Sequence, residues 1–178
     1  MSKVSISTCG LRICGSSAAT EEGDTAWTRR CTFCNVSKSN GFDVVWEDDH
    51  FVAFRDHNPA AEHHFLVIPK EHVGTVKTLT KSDVDMVQRL VKIGHTLLSD
   101  HNVPENQRRL GFHIPPFSSV PHLHLHAQGL PYRSLFRKMK YAVATGRKAR
   151  DKGFSWFVEA EQEIRILGKG QTAYSFGS

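Results

Sequence analysis

Three histidines alternate with two leucines in His122-Leu123-His124-Leu125-His126. Imidazole near neutral pH is a nucleophile, a proton carrier and a metal ligand. Alternation is the period of a half-buried strand, on which residues two apart share a face. The three imidazoles therefore project together, while Leu123 and Leu125 face a core. A spacing of roughly 6.5–7 Å between next-but-one residues lets one phosphate or one metal ion touch two of them. Packing alone is a poor reason for such a face, since buried polar groups need partners that a core rarely provides. Upstream, Cys31-Thr32-Phe33-Cys34 sets two thiols at the spacing of half a tetrahedral zinc site. Two reduced cysteines near a loop, or a redox pair, are the other readings of that spacing.

The elements that must position these residues read as one α+β domain. From Phe42 the pattern is that of a hairpin: Asp43 to Glu47, a polar Asp48-Asp49 turn, then Phe51 to Asp56. Asn58-Pro59 breaks it. His64-Phe65-Leu66-Val67-Ile68, ended by Pro69, reads as a buried central strand. A helix begins at Thr80 with Asp83 completing a capping box. Its apolar stripe is Val84, Val87, Leu90, Val91, Gly94, Leu97 and Leu98, and Asn102 and Pro104 end it. Leu110 to Ile114 is a strand stopped by Pro115-Pro116, and Gly129 and Pro131 close the histidine strand. A second helix is expected from Leu135 to about Ala144. Phe154 to Phe157 should pack back on the domain, and Gly168 to Ser178 reads as a loose tail.

Composition bounds the function. The chain has 178 residues and a formal charge of +5 with its 11 histidines neutral. That balance favours anionic ligands but is too small to imply nucleic-acid binding by itself. No apolar run approaches the roughly 18 residues of a membrane helix. Met1 to Arg30 is a Ser-rich leader with little periodicity, without the long apolar segment of a secretory signal. Four cysteines and no mark of secretion favour a reducing, intracellular home. Between Arg133 and Lys152 the only acid is Asp151, which makes either a solvated basic face or a phosphate-attracting rim.

Taken together, three strings resemble the histidine triad superfamily: His122 to His126, the run from His64 through Pro69-Lys70-Glu71-His72, and Phe54-Arg55-Asp56 after the acidic hairpin turn. Within it the chain looks most like the histidine triad nucleotide-binding branch. The resemblance covers about Cys31 to Tyr141 and implies the family's fold, an antiparallel sheet of about five strands with one long helix. It sets a leader at 1–30, a domain at 31–141 and a C-terminal extension at 142–178, the last packing on the domain through a helical segment. It implies a hydrolase of nucleoside 5'-phosphoramidates, acting on purine nucleoside monophosphates joined to an amine. By that match His124 is the nucleophile and forms a covalent nucleotidyl-imidazole. His126 binds phosphate oxygens and moves a proton to the departing amine. His64 supports the triad from behind, Ser119 contacts the phosphate or leaving group, and Asp56 accepts the ribose hydroxyls. Phe33, Val36, Phe54 and His57 surround the base and sugar.

Bland roles stand beside these. Asp56 could cap the turn before Asn58-Pro59, His64 could be a satisfied core histidine, and Phe33, Val36 and Phe54 could serve the core alone. The match also completes a Cys2His2 zinc site from Cys31, Cys34, His72 and His122, structural rather than chemical, since the reaction itself requires no cofactor. Homodimerisation through the long helix and one sheet edge is implied, as is a cytoplasmic, or also nuclear, location. No membrane and no sequence-specific nucleic acid is expected as partner. The branch's usual Asn on the strand before the triad is replaced by His113, and its Gly-Gln-Ser by Phe117-Ser118-Ser119. Gln128 permits a second register, in which His126 is the nucleophile and Gln128 binds phosphate in the manner of nucleotidyltransferases. The Ser119-Val120-Pro121-His122 approach argues for the first register. A dinucleoside polyphosphate hydrolase and a nucleotide- or zinc-binding interaction module are the rival functions.

Overall fold

The computed structural model describes residues 31–144 and 152–172. The leader and the end of the tail lie outside the described residues. The hairpin forms from β1 (Val44–Glu47) and β2 (Phe51–Arg55). Its turn is held by Asp48, whose carboxylate accepts from the His50 and Phe51 amides at 2.8 and 2.7 Å. The central strand β3 spans Ala61–Pro69, starting three residues before His64. It is followed by the long helix α1 (Val84–Asp100) and by β4 (Arg108–His113). The helix enters through the expected capping box, in which Asp83 accepts from the Thr80 amide at 2.7 Å.

The histidine segment differs from expectation in extent. Its ladder strand, β5, is Leu125–Tyr132. His122 and His124 lie on the approach, where the Leu123 amide donates to the Val73 carbonyl at 2.8 Å instead of joining the ladder. The strand also runs through Gly129 and Pro131 without closing there. A register shift between Ala61 and His63 on β3 falls opposite the proline, a place where a missing amide is tolerated. The second helix, α2, is only Leu135–Met139. Phe154 is exposed, but Phe157–Glu159 forms β6, which runs directly into α3 (Ala160–Gly168).

All pairings are antiparallel, in a sheet of six strands ordered β1-β2-β3-β5-β4-β6. The sixth strand gives no signal in the sequence because three residues carry no measurable period and its partner is 46 positions away, Phe112 pairing with Val158. Strict alternation sorts the sheet into two faces. Ala53, Phe65, Val67, Leu110, Phe112, Leu125, Ala127 and Val158 join Val87, Leu90, Leu97 and Leu98 of α1 in the main core. Burying each such leucine or phenylalanine stabilises the fold by roughly 1.5–3 kcal/mol. Gly94 lets the helix lie close, since a Cβ there would stand 2.9 Å from Leu110 and 3.1 Å from Ala127. The opposite face carries Leu66, Ile68, Val52 and Phe54 at one side and Phe157, Tyr141 and Ala60 at the other. Between them lie the histidines.

Candidate active site

His124 is 7% exposed, and its Nδ1 sits 2.6 Å from the His122 carbonyl oxygen. A carbonyl only accepts, so Nδ1 carries the proton and Nε2 keeps its lone pair. Burial holds His124 below the usual imidazole range, which keeps it neutral at physiological pH. Geometry and electrostatics thus present one unprotonated ring nitrogen, the form a nucleophile requires.

Beside it is an aromatic wall. The Phe33 ring meets His124 edge-on at 5.4 Å and Phe54 at 5.3 Å, and Phe42 adds a third ring 5.1 Å from Phe54. Val36 packs against the same cluster. Asp56 is mostly buried and caps the turn through the Asn58 amide at 2.8 Å, so the bland role is present. Its other oxygen lies 3.4 Å from His64 Nδ1. The His57 side chain faces solvent. Ser119 is exposed on the loop before the triad, whereas Ser118 lines a small cavity with His113, His122 and His124.

On the other flank three imidazoles form a chain. The Ala60 amide donates to His64 Nδ1 at 3.1 Å. His64 Nε2 lies 2.9 Å from His126 Nδ1, and His126 Nε2 lies 3.0 Å from His113 Nδ1. His113 Nε2 then reaches the Lys140 carbonyl at 2.9 Å. Tyr141 packs against all three rings. Burial lowers the whole group, taking His64 to about 4 and His126 well below the usual range. Gln128 is fully buried, its side-chain amide lying between the Tyr132 hydroxyl at 3.2 Å and His64 Nε2 at 3.3 Å. Its amide is thus engaged within the protein. His113 and Tyr141 are the site residues that reading the chain left out. The signal for His113 was available, because it stands where the branch has a polar Asn; Tyr141 carried none.

Cys31, Cys34, His72 and His122 converge from three separated segments, with one ligand atom from each within 4.8 Å of the others. Cys31 Sγ is 3.4 Å from His122 Nδ1, and Cys34 Sγ is 3.2 Å from His72 Nδ1. His122 Nε2 donates to the Pro69 carbonyl at 2.9 Å, which frees Nδ1 to act as a ligand. Two thiols and two imidazole nitrogens at these separations fit a tetrahedral zinc ion. Burial and the adjacent Cys31 raise the Cys34 thiol to about 11. A cation there would reverse that tendency.

Comparison with known proteins agrees with this arrangement. The family described as "Scavenger mRNA decapping enzyme C-term binding" matches residues 30–142. Adenosine 5'-monophosphoramidase HINT3 of Danio rerio is 37% identical over 152 residues, covering 84% of this chain and 89% of that relative. The chain belongs to the histidine triad family. Another histidine triad relative, the bifunctional adenosine 5'-phosphosulfate phosphorylase/adenylylsulfatase HINT4 of Arabidopsis thaliana, is 41% identical, over 62% of this chain and 77% of its own length. Among solved structures, a HIT family hydrolase from Legionella pneumophila Philadelphia 1 superposes with a TM-score of 0.54 at 30% identity, over 59% of this chain and 96% of that one.

Proposed function

We propose that this protein hydrolyses the P–N bond of nucleoside 5'-phosphoramidates through a nucleotidyl-His124 intermediate. The observation that carries the reading is the bond from His124 Nδ1 to the His122 carbonyl, which leaves a neutral, buried Nε2 beside an aromatic wall. The naming of the Danio rerio relative as a phosphoramidase supports the substrate class.

In the first step the Nε2 lone pair attacks the α-phosphorus and the P–N bond breaks. His126 takes up a proton as the anionic substrate binds, and the departing amine receives it. Burial and the neighbouring imidazoles depress the basicity of His126, so once protonated it is a strong donor. The nucleotidyl-imidazole carries a positive charge, which the His122 carbonyl stabilises through Nδ1–H. In the second step water attacks phosphorus and gives its proton to His126. The bond to His124 then breaks, and nucleoside monophosphate leaves with both histidines restored. Phe33, Phe54 and Val36 would hold the base and sugar, with Asp56 and the His57 backbone at the ribose. Ser119 or its neighbour Ser118 would meet the phosphate.

Zinc held by Cys31, Cys34, His72 and His122 would tie three chain segments together and supply no step of the reaction. A homodimer and a cytoplasmic, or also nuclear, location complete the proposal; a sedimentation measurement giving a monomer would remove the dimer. The decisive test is His124→Ala assayed on adenosine 5'-phosphoramidate, with His126→Ala examined for trapped nucleotide by intact-protein mass spectrometry. Hydrolysis should vanish in the first variant and the adduct should accumulate in the second. Undiminished hydrolysis by His124→Ala sinks the nucleophile.

A further inference from the structure

No step above uses His113, yet it closes the hydrogen-bonded chain through the site. The Ala60 amide at one end of that chain is a pure donor, and the Lys140 carbonyl at the other is a pure acceptor. At His64 Nδ1 the Ala60 amide, 3.1 Å away, lies nearer than the Asp56 carboxylate at 3.4 Å. Neutral imidazole has one donor nitrogen and one acceptor nitrogen, so a chain pinned in this way at both ends has only one arrangement of protons. Counting from Ala60, His64 accepts at Nδ1 and donates from Nε2 to His126 Nδ1. Counting from Lys140, His113 donates from Nε2 and must therefore accept at Nδ1, from His126 Nε2–H. The two ends agree.

We infer that His113 is a positioning residue that fixes His126 as its Nε2–H tautomer, with the protonated nitrogen turned toward His113 and the bare Nδ1 toward His64. This deepens the phosphoramidase reading and rests on it for its catalytic consequence, though not for the tautomer itself. His113 suits the task because it spans both worlds. It lines the small cavity with His124 and Ser118, yet its ring is wedged between Tyr141, 4.9 Å away, and Phe157, 5.2 Å away. Its acceptor is held in turn, since Trp156 Nε1 also donates to the Lys140 carbonyl at 3.1 Å. The C-terminal strand and α2 therefore reach the chemistry through one imidazole. Without that acceptor His126 Nε2–H is left unpaired in a buried site, and the ring gains a reason to turn over or to shift its proton.

The experiment compares wild type, His113→Leu and His113→Asn. Imidazole 15N NMR of the substrate-free protein reads the His126 tautomer, and steady-state kinetics on adenosine 5'-phosphoramidate read kcat and KM separately. Wild type should show protonated Nε2 and bare Nδ1. His113→Leu should lose that single tautomer, with kcat down about 100-fold, the scale of a misdirected acid–base group, and KM little changed. His113→Asn should restore both tautomer and rate, because one amide can accept from His126 and donate to Lys140. A wild-type His126 protonated at Nδ1 overturns the inference, as does a leucine variant with wild-type kcat or an asparagine variant as slow as the leucine one. Should the leucine variant fail to fold, the wild-type tautomer and the asparagine variant still decide. Absence of phosphoramidate hydrolysis in wild type would refute the reaction while leaving the tautomer result standing.

Discussion

Glu163 offers the sharpest test of the physical account. It sits on α3 with no exposed surface, and neither carboxylate oxygen has a hydrogen-bond partner among the described residues. Lys152, whose charge acts on this carboxyl, spends its ammonium protons on the Gly153 and Ser155 carbonyls and the Ser155 hydroxyl. Burial consequently raises the Glu163 carboxyl from 4.5 to about 7, with Lys152 offsetting only part of the rise. Between those values the native protein keeps the proton while the unfolded chain has lost it. The unfolded state then binds fewer protons, so stability falls as pH rises through that window. The rise from 4.5 to about 7 corresponds to a destabilisation of about 3 kcal/mol once the pH exceeds the native value. Glu163→Met, of similar volume, should therefore gain about 3 kcal/mol over wild type at pH 8 and much less at pH 5. Glu163→Gln should also lose the pH dependence but keep the cost of a buried, unpaired amide. Urea denaturation of each protein at both pH values measures the difference, and the comparison cancels the titration of the buried histidines. A wild-type deficit that does not grow between pH 5 and pH 8 would refute the reasoning.

Two further outcomes follow from particular contacts. Gly111→Ala should push β6 off its neighbour, since the new Cβ would collide with the Val158 carbonyl oxygen and stand 2.6 Å from the Phe157 ring that backs His113. It should cost about 2 kcal/mol of stability and lower kcat; hydrogen exchange at Val158 that stays as slow as wild type would count against the account. Cys34→Ser should remove one zinc per chain by elemental analysis and lower the melting temperature, because metal affinity is folding energy in such sites. Protein purified gently yet free of metal would remove the site.

Much of this was legible in the chain because it is local. The period of 2 around the triad sets Leu123 and Leu125 apart from His122, His124 and His126, and the continuous apolar run after His64 marks a buried central strand. The helical stripe named the residues of α1 that are buried, apart from half-buried Val84. Spacing nominates Cys31 and Cys34, and the family likeness adds His72 and His122, although their convergence spans 91 positions between Cys31 and His122. What stayed hidden depends on contacts between distant segments. A strand of three residues has no pattern until β4 offers it an edge, which is why Phe157–Glu159 was missed. The burial of Glu163 is a property of what packs over α3, and residue type argues against it.

The triad itself shows the division most plainly. From sequence alone the three imidazoles share a face, and family likeness distributes their tasks. Which nitrogen of each ring holds the proton is another matter, because a tautomer is chosen by the partner of the opposite nitrogen. Those partners are Pro69, the His122 carbonyl, Ala60 and Lys140. All but one lie far along the chain from the ring they orient, directly or through another histidine. Only the folded sheet, which brings β3, β4, β5 and the end of α2 to one place, decides which nitrogen of each ring holds its proton.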